Sequence, residues 1–217
     1  MRFERERILL LGHSWGSFLG LQVAARAPER FIAYVGMAQV SHQLRSEIMA
    51  REAMIAAYRE LGDDGMVRRL EAAPVTMEGG MSHAYLRLRD AATHGLGGGT
   101  THDMTSVVTG VFLPVMGLSV YALQEKIGLW RRKAWSRRLL WDVILRTNLS
   151  ELVTSVDIPI HFFIGAQDLT AMPALSRELF DRLQAPDKHS AHSPLFEEPA
   201  RARSLLRTVI ANALYRA

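Results

Sequence analysis

Ser14 lies within Gly12-His13-Ser14-Trp15-Gly16, and two residues able to activate it follow later in the chain. They are Asp168, in Gly165-Ala166-Gln167-Asp168, and His192, in Ser190-Ala191-His192-Ser193-Pro194. A serine hydroxyl is almost wholly protonated near neutral pH. It becomes a nucleophile when an imidazole within hydrogen-bond reach takes its proton, and a carboxylate on the other ring nitrogen fixes the tautomer and stabilises the imidazolium that forms. The chemistry open to such a set is attack on an ester or amide carbonyl.

Rival side chains are less well placed for that chemistry. His13, beside the serine, is expected to pack against a sheet, and His161 falls inside a strand; His189 is the local competitor of His192. His83, His94 and His102 with Asp103 have spacings that match no metal-ligand pattern, so no metal is predicted. Asp157 precedes a strand and so sits at the wrong end of it, while Glu197 and Glu198 are expected to cap the last helix.

The elements that must position Ser14 are legible around it. Ile8 to Leu11 is a short apolar run of the kind a buried parallel strand uses, and Phe18, Leu19, Leu21, Val23 and Ala24 continue as a helix to Ala27 before Pro28. A strand turning this sharply into a helix brings backbone against backbone, so Gly12 and Gly16 are expected to remove Cβ atoms that would collide. Ser14 is left at the apex in strained φ/ψ space beside a helix N-terminus. Arg30 to Met37 is a second buried strand, which makes a β-α-β unit with parallel strands.

From Ser41 the period becomes helical, and no strand is predicted until Ile158 to Ile164. A helix from Ala174 to Leu183 follows, then a stretch from Gln184 to Ser190 too short and polar for a strand, then a last helix from about Pro199 to Tyr215. The predicted organisation is therefore an α/β core of residues 1–40 and 151–217, with residues 41–150 inserted as a helical cap.

Composition narrows the remaining classes. With 217 residues, 48% of them hydrophobic, the chain can bury a substantial core, and having no cysteine it has neither a disulfide framework nor a thiolate nucleophile. A reducing cytoplasm is compatible and is the predicted location. The net charge is +4, and Arg131, Arg132, Lys133, Arg137 and Arg138 form a basic cluster. At helical spacing these share Leu129 to Leu145 with Trp130, Trp135, Leu139, Trp141 and Ile144, which predicts a solvated face opposite a buried one rather than a nucleic-acid site. Arg2 to Arg7 with the following Ile-Leu-Leu-Leu imitates a signal peptide but is diluted by Glu4 and Glu6. Met104 to Leu123 has no charge, yet its Thr, Ser, Gly and Pro content predicts a helix pair broken at Pro114 rather than a membrane span.

Gly12-His-Ser-Trp-Gly16, Gly165-Ala-Gln-Asp168 and Ser190-Ala-His-Ser-Pro-Leu-Phe-Glu-Glu-Pro199 together resemble the proline iminopeptidase-like branch of the α/β-hydrolases. The block containing Gly97-Gly-Gly-Thr-Thr-His-Asp103 and Phe112-Leu-Pro114 is similar to the cap of related members. The resemblance covers nearly the whole chain. It implies a mostly parallel sheet with a helical cap, Ser14 as nucleophile, Asp168 as orienting acid, His192 as base and the backbone N–H of Trp15 as an oxyanion donor. It also implies hydrolysis of an amide or ester bond in a small-molecule or short-peptide substrate, without a cofactor. Glu47, Glu52 and Glu125 are candidates for binding a substrate's free α-amino group.

Two departures from that pattern shape the expectations. Related members carry several strands and a His-Gly-Gly-Pro-Gly type loop, which supplies a second oxyanion N–H, before the elbow; here 13 residues precede Ser14. The chain alone is therefore expected to expose an apolar sheet edge, to be poorly soluble, oligomeric or partly folded, and to hydrolyse weakly, with such a loop encoded just upstream. The short stretch before His192 is expected to displace its loop. The alternative is a truncated, non-catalytic relative that binds a ligand or partner.

Overall fold

The computed structural model describes residues 6–98, 104, 106–192 and 198–215, the last three by backbone alone. The chain divides into two compact units, Met1–His42 with Asn148–Ala217, and Gln43–Thr147.

The first unit begins with strand β1 (Ile8–His13), helix α1 (Trp15–Arg26) and strand β2 (Phe31–Met37). β1 and β2 run parallel, with Leu11 opposite Val35 and His13 opposite Met37. The chain leaves this unit at His42 and returns at Asn148 beside it. The two residues form an antiparallel bridge, the Leu149 N–H donates to the Ser41 carbonyl at 2.9 Å, and the Ser41 and Ser150 hydroxyls pair at 3.1 Å.

The second unit is helical: α2 (Gln43–Glu60), α3 (Asp64–Glu71), α4 (His83–Gly95), α5 (Leu113–Gly117) and α6 (Leu123–Arg146). It also holds a small antiparallel hairpin that the sequence did not suggest, β3 (Val75–Thr76) with β4 (Gly80–Met81). Two residues per strand leave no alternation to detect; the turn is marked by Gly80 at φ 69°. A wide π-type turn, Val108–Phe112, runs directly into α5, so the break expected at Pro114 falls instead at Leu118, whose ψ is 125°. Pro114 sits in the first turn of α5, where its missing N–H costs no helical bond. The expected buried face of α6 is also only partly realised. Ile144 is buried, while Trp135 keeps 65% of its surface exposed and Leu139 keeps 56%. Among the described residues no helix is long and apolar enough to cross a membrane.

Back in the first unit, α7 (Leu149–Leu152), β5 (Ile160–Ile164), α8 (Pro173–Arg182), β6 (Lys188–His192) and α9 (Pro199–Tyr215) complete the fold. The sheet order is β1-β2-β5-β6, and all three pairings are parallel. Every residue of β5 is buried, as is nearly all of β2, because each has a strand on either side. One face of the sheet packs Val35, Met37 and Phe163 against Val209 of α9. On the other, Tyr34 and Phe162 meet edge to face at 6.4 Å, and Phe162 meets Phe180 of α8 at 5.5 Å. Burial on both faces is what a parallel sheet requires.

At the edges of the sheet, β1 pairs with β2 alone among the described residues, and its Ile8 and Leu11 keep 52% and 45% exposure, the exposed apolar edge that was expected. β6 occupies the other edge, where no strand was expected. It is held by its ladder to β5 and by polar contacts in place of apolar burial. The Lys188 ammonium donates to the carbonyls of Phe180 and Leu183 at the end of α8, at 2.6 and 3.0 Å, and the His189 ring stacks on His161 with centroids 5.0 Å apart.

Candidate active site

Ser14 caps α1 with φ 52° and ψ −118°, a conformation uncommon for a residue with a side chain. Its backbone is held from both sides. The N–H donates to the Met37 carbonyl at 3.0 Å, while the carbonyl accepts from Ser17 N–H at 2.8 Å, Phe18 N–H at 3.3 Å and the Ser17 hydroxyl at 2.5 Å. The Ser14 hydroxyl takes no part in these bonds. Gly12 makes the turn possible, for a Cβ there would lie 2.3 Å from the Gly16 carbonyl oxygen and 2.7 Å from Ser17 Cα. Gly16 does not share that duty: it faces outward in the first helical turn, and a Cβ there would meet nothing within 4 Å. Trp15 opens α1, so its N–H points out of the helix start at the positive end of the dipole.

Asp168 follows β5. Its Oδ1 accepts from the N–H groups of Thr170 at 2.7 Å and Ala171 at 2.9 Å, which folds the loop back on itself ahead of α8. His13 lies at the end of β1, partly exposed to solvent rather than packed within the sheet. Its partial burial lowers its pKa, and the nearby Asp168 carboxylate opposes that shift.

His192 is the last residue of β6, paired with Ile164, and its Nδ1 lies 3.0 Å from the Ile164 carbonyl oxygen. A carbonyl can only accept, so Nδ1 carries the proton and Nε2 is the basic nitrogen. Ser14, Asp168 and His192 thus all stand at the carboxyl ends of parallel strands, the edge at which such sheets build their sites. Two strands, β2 and β5, lie between β1 and β6, however, so three strand spacings of ~4.8 Å, about 14 Å in all, separate the strand that leads to Ser14 from the one that ends at His192. The structure brings Asp168 near His13 and leaves His192 tied to β5. His189 lies further from the site, for it is opposite His161 in the ladder, with its Nε2 3.0 Å from Asp187 Oδ1.

Glu47 and Glu125 are engaged elsewhere. Glu47 is fully buried in the second unit, where Oε2 meets Arg89 Nε at 2.7 Å and the Tyr85 hydroxyl at 3.1 Å, and Oε1 accepts from Gln43 Nε2 at 2.9 Å. Burial alone would lower the pKa of Arg89, but the Glu47 carboxylate overrides it and holds it raised. Glu125 accepts the Ala122 N–H at 2.8 Å and so caps α6, whereas Glu52 is exposed on α2. Among the described residues no cluster of three or more His, Asp or Glu side chains could hold a metal ion. His102, Asp103 and Glu197 lie outside the described residues.

Sequence reasoning missed a group beneath the elbow: Ser17, Tyr34 and Gln39, all wholly buried. The Tyr34 hydroxyl lies 2.7 Å from Gln39 Oε1 and 2.9 Å from the Ser17 carbonyl oxygen. Its one trace in the sequence is a pair of glycines, for a Cβ at Gly20 would lie 2.8 Å from the Tyr34 ring and one at Gly36 would lie 2.3 Å from Gln39 Oε1.

A parallel sheet covered by helices, with a serine strained at a strand-to-helix elbow, defines an α/β-hydrolase. The alpha/beta hydrolase fold family matches residues 2–199, and the chain belongs to it. It is similar to YbaC of Bacillus subtilis (strain 168), a probable aminopeptidase, with 28% identity over a 206-residue alignment that covers 91% of this chain and 63% of that protein. The chain therefore spans less than two thirds of that relative's length. Among solved structures, VinJ matches with a TM-score of 0.55 at 17% identity, over 96% of this chain and 67% of its own. The proline iminopeptidase of Mycobacterium smegmatis matches with a TM-score of 0.50 at 17% identity, over 97% of this chain and 66% of its own. These two likenesses concern the fold.

Proposed function

We propose that the chain is a proline iminopeptidase-like serine hydrolase that cleaves an amide or ester bond of a small substrate. Ser14 is the nucleophile, His192 the base, Asp168 the orienting acid and the Trp15 N–H an oxyanion donor. Residues 41–150 act as the cap that carries substrate specificity. The observation supporting this most is Ser14 itself, a residue with a side chain held at φ 52°. Backbone strain of this kind costs about 1–3 kcal/mol and persists where the surroundings over-determine it, as they do at active sites.

In the reaction Ser14 Oγ attacks the substrate carbonyl carbon while its proton passes to His192 Nε2. The resulting oxyanion meets the Trp15 N–H at the positive end of α1. Collapse breaks the bond to the amine or alcohol, which leaves with the proton from His192, and water then releases the acid from Ser14 by the same steps. In the structure the Ile164 carbonyl holds His192 Nδ1, the place that the Asp168 carboxylate takes in the reaction. To act, His192 must leave the end of β6. It is held there on an edge strand by a terminal ladder pair and that ring-to-carbonyl bond, contacts that open at low cost.

The separation of Ser14 from His192 favours a second reading, a non-catalytic relative that binds a ligand or partner. Turnover of an activated ester separates the two. For the hydrolase, His192→Ala lowers kcat by roughly 1000-fold or more, whereas His189→Ala has little effect. The reverse ranking would move the base to His189, and a folded wild-type chain with no turnover above buffer would favour the second reading.

A further inference from the structure

The buried polar chain under the elbow ends on the peptide that carries the oxyanion donor. The Val40 N–H donates to Ser17 Oγ at 3.0 Å, and the Ser17 hydroxyl donates in turn to the Ser14 carbonyl at 2.5 Å, the Ala38 carbonyl being more distant at 3.3 Å. Ser17 is gripped from below as well, since its carbonyl accepts from the Tyr34 hydroxyl at 2.9 Å and from Gln39 Nε2 at 3.3 Å. Gln39 in turn donates to the Val40 carbonyl at 2.8 Å, and its own carbonyl accepts from the Ser176 hydroxyl of α8 at 2.7 Å. Burial raises the Tyr34 pKa, so its hydroxyl remains a neutral donor.

The Ser14 carbonyl and the Trp15 N–H belong to one planar trans peptide, so a bond that fixes the direction of the carbonyl fixes that of the N–H. Donation into the carbonyl also polarises the same amide and strengthens its N–H as a donor. We infer that Ser17 is a positioning residue for the reaction, aiming the Trp15 N–H at the developing oxyanion through the shared Ser14–Trp15 peptide, with Tyr34 and Gln39 holding Ser17 in place. The inference rests on Ser14 being the nucleophile.

The test is the second-order rate at which a fluorophosphonate modifies Ser14 in the purified chain, beside ester kinetics and the folded fraction at the assay temperature by circular dichroism. Ser17→Ala is expected to slow modification by about 10-fold or more and to lower kcat with KM nearly unchanged, at an unaltered folded fraction. Ser17→Thr, which keeps the hydroxyl, is expected to restore most of that rate. Should Ser17→Ala not fold, Tyr34→Phe removes the brace with one oxygen atom, and a slowing of several-fold is expected. Modification at the wild-type rate in these variants overturns the inference alone, as does a slowing fully matched by loss of folded protein. A folded wild-type chain that is not modified at Ser14 overturns the nucleophile and the inference together.

Discussion

At Gly12 a single methyl group decides whether the elbow can form. Its Cβ would press on the backbone of Gly16 and Ser17, which cannot swing aside as a flexible side chain can. Gly12→Ala is expected to cost about 3 kcal/mol or more. Gly16→Ala is expected to be neutral or to add up to ~1 kcal/mol of helix propensity. Urea unfolding of both variants checks the contrast. The sequence pattern could not separate these glycines, since Gly-x-Ser-x-Gly treats them alike and the collision depends on which one faces the backbone. It did reveal the strain at Ser14, because a strand read to Leu11 and a helix read from Phe18 leave few paths between them. His13 adds a pH dependence. Its folded pKa lies below the ordinary 6.5, with burial the larger cause, so between those two values the unfolded chain binds more protons. Stability is therefore expected to fall as pH drops through and below about 6.5, and His13→Gln to flatten that fall, as read by urea unfolding at each pH. A fall equally steep in the variant would show that His13 is not its source.

Elements differ in how openly their residues announce them. β2 and β5 are runs of apolar residues because both their faces are covered, whereas β6 is Lys-His-Ser-Ala-His and is held by ladder bonds, a lysine on the end of α8 and a histidine stack. An edge strand secured in this way carries no apolar signal, so it was missed. Glu47 was misread for a related reason. Nothing local marks its partner Arg89, which sits on another helix of the second unit. Removing that guanidinium leaves a fully buried carboxylate unpaired, so Arg89→Met is expected to destabilise the chain by about 3 kcal/mol. Combining it with Glu47→Gln is expected to recover part of the loss. Chemical denaturation of the single and double variants measures the coupling, and additive losses would show that the pair is not coupled.

On the scale of the whole molecule, the change from strand to helical period at Ser41, and the return to a strand near Ile158, read as a core interrupted by a helical block. The structure places Gln43–Thr147 in a unit of its own. Among the described residues no strand pairs with the outer side of β1, whose Ile8 and Leu11 are exposed, and α1 exposes Leu19 and Val23. An unpaired strand with apolar side chains is a template for another chain. We expect the isolated chain to self-associate in sedimentation-velocity experiments, and Ile8→Lys with Leu11→Lys to shift it towards monomer; a wild-type chain monomeric at all concentrations would contradict this. The central claim is that a strained elbow serine performs nucleophilic chemistry, and the most direct measurement is peptide mass spectrometry after exposure to a fluorophosphonate. The predicted result is one phosphonyl adduct, on Ser14, absent from Ser14→Ala. A folded chain that acquires no adduct, or one that keeps its adduct in Ser14→Ala, would contradict it.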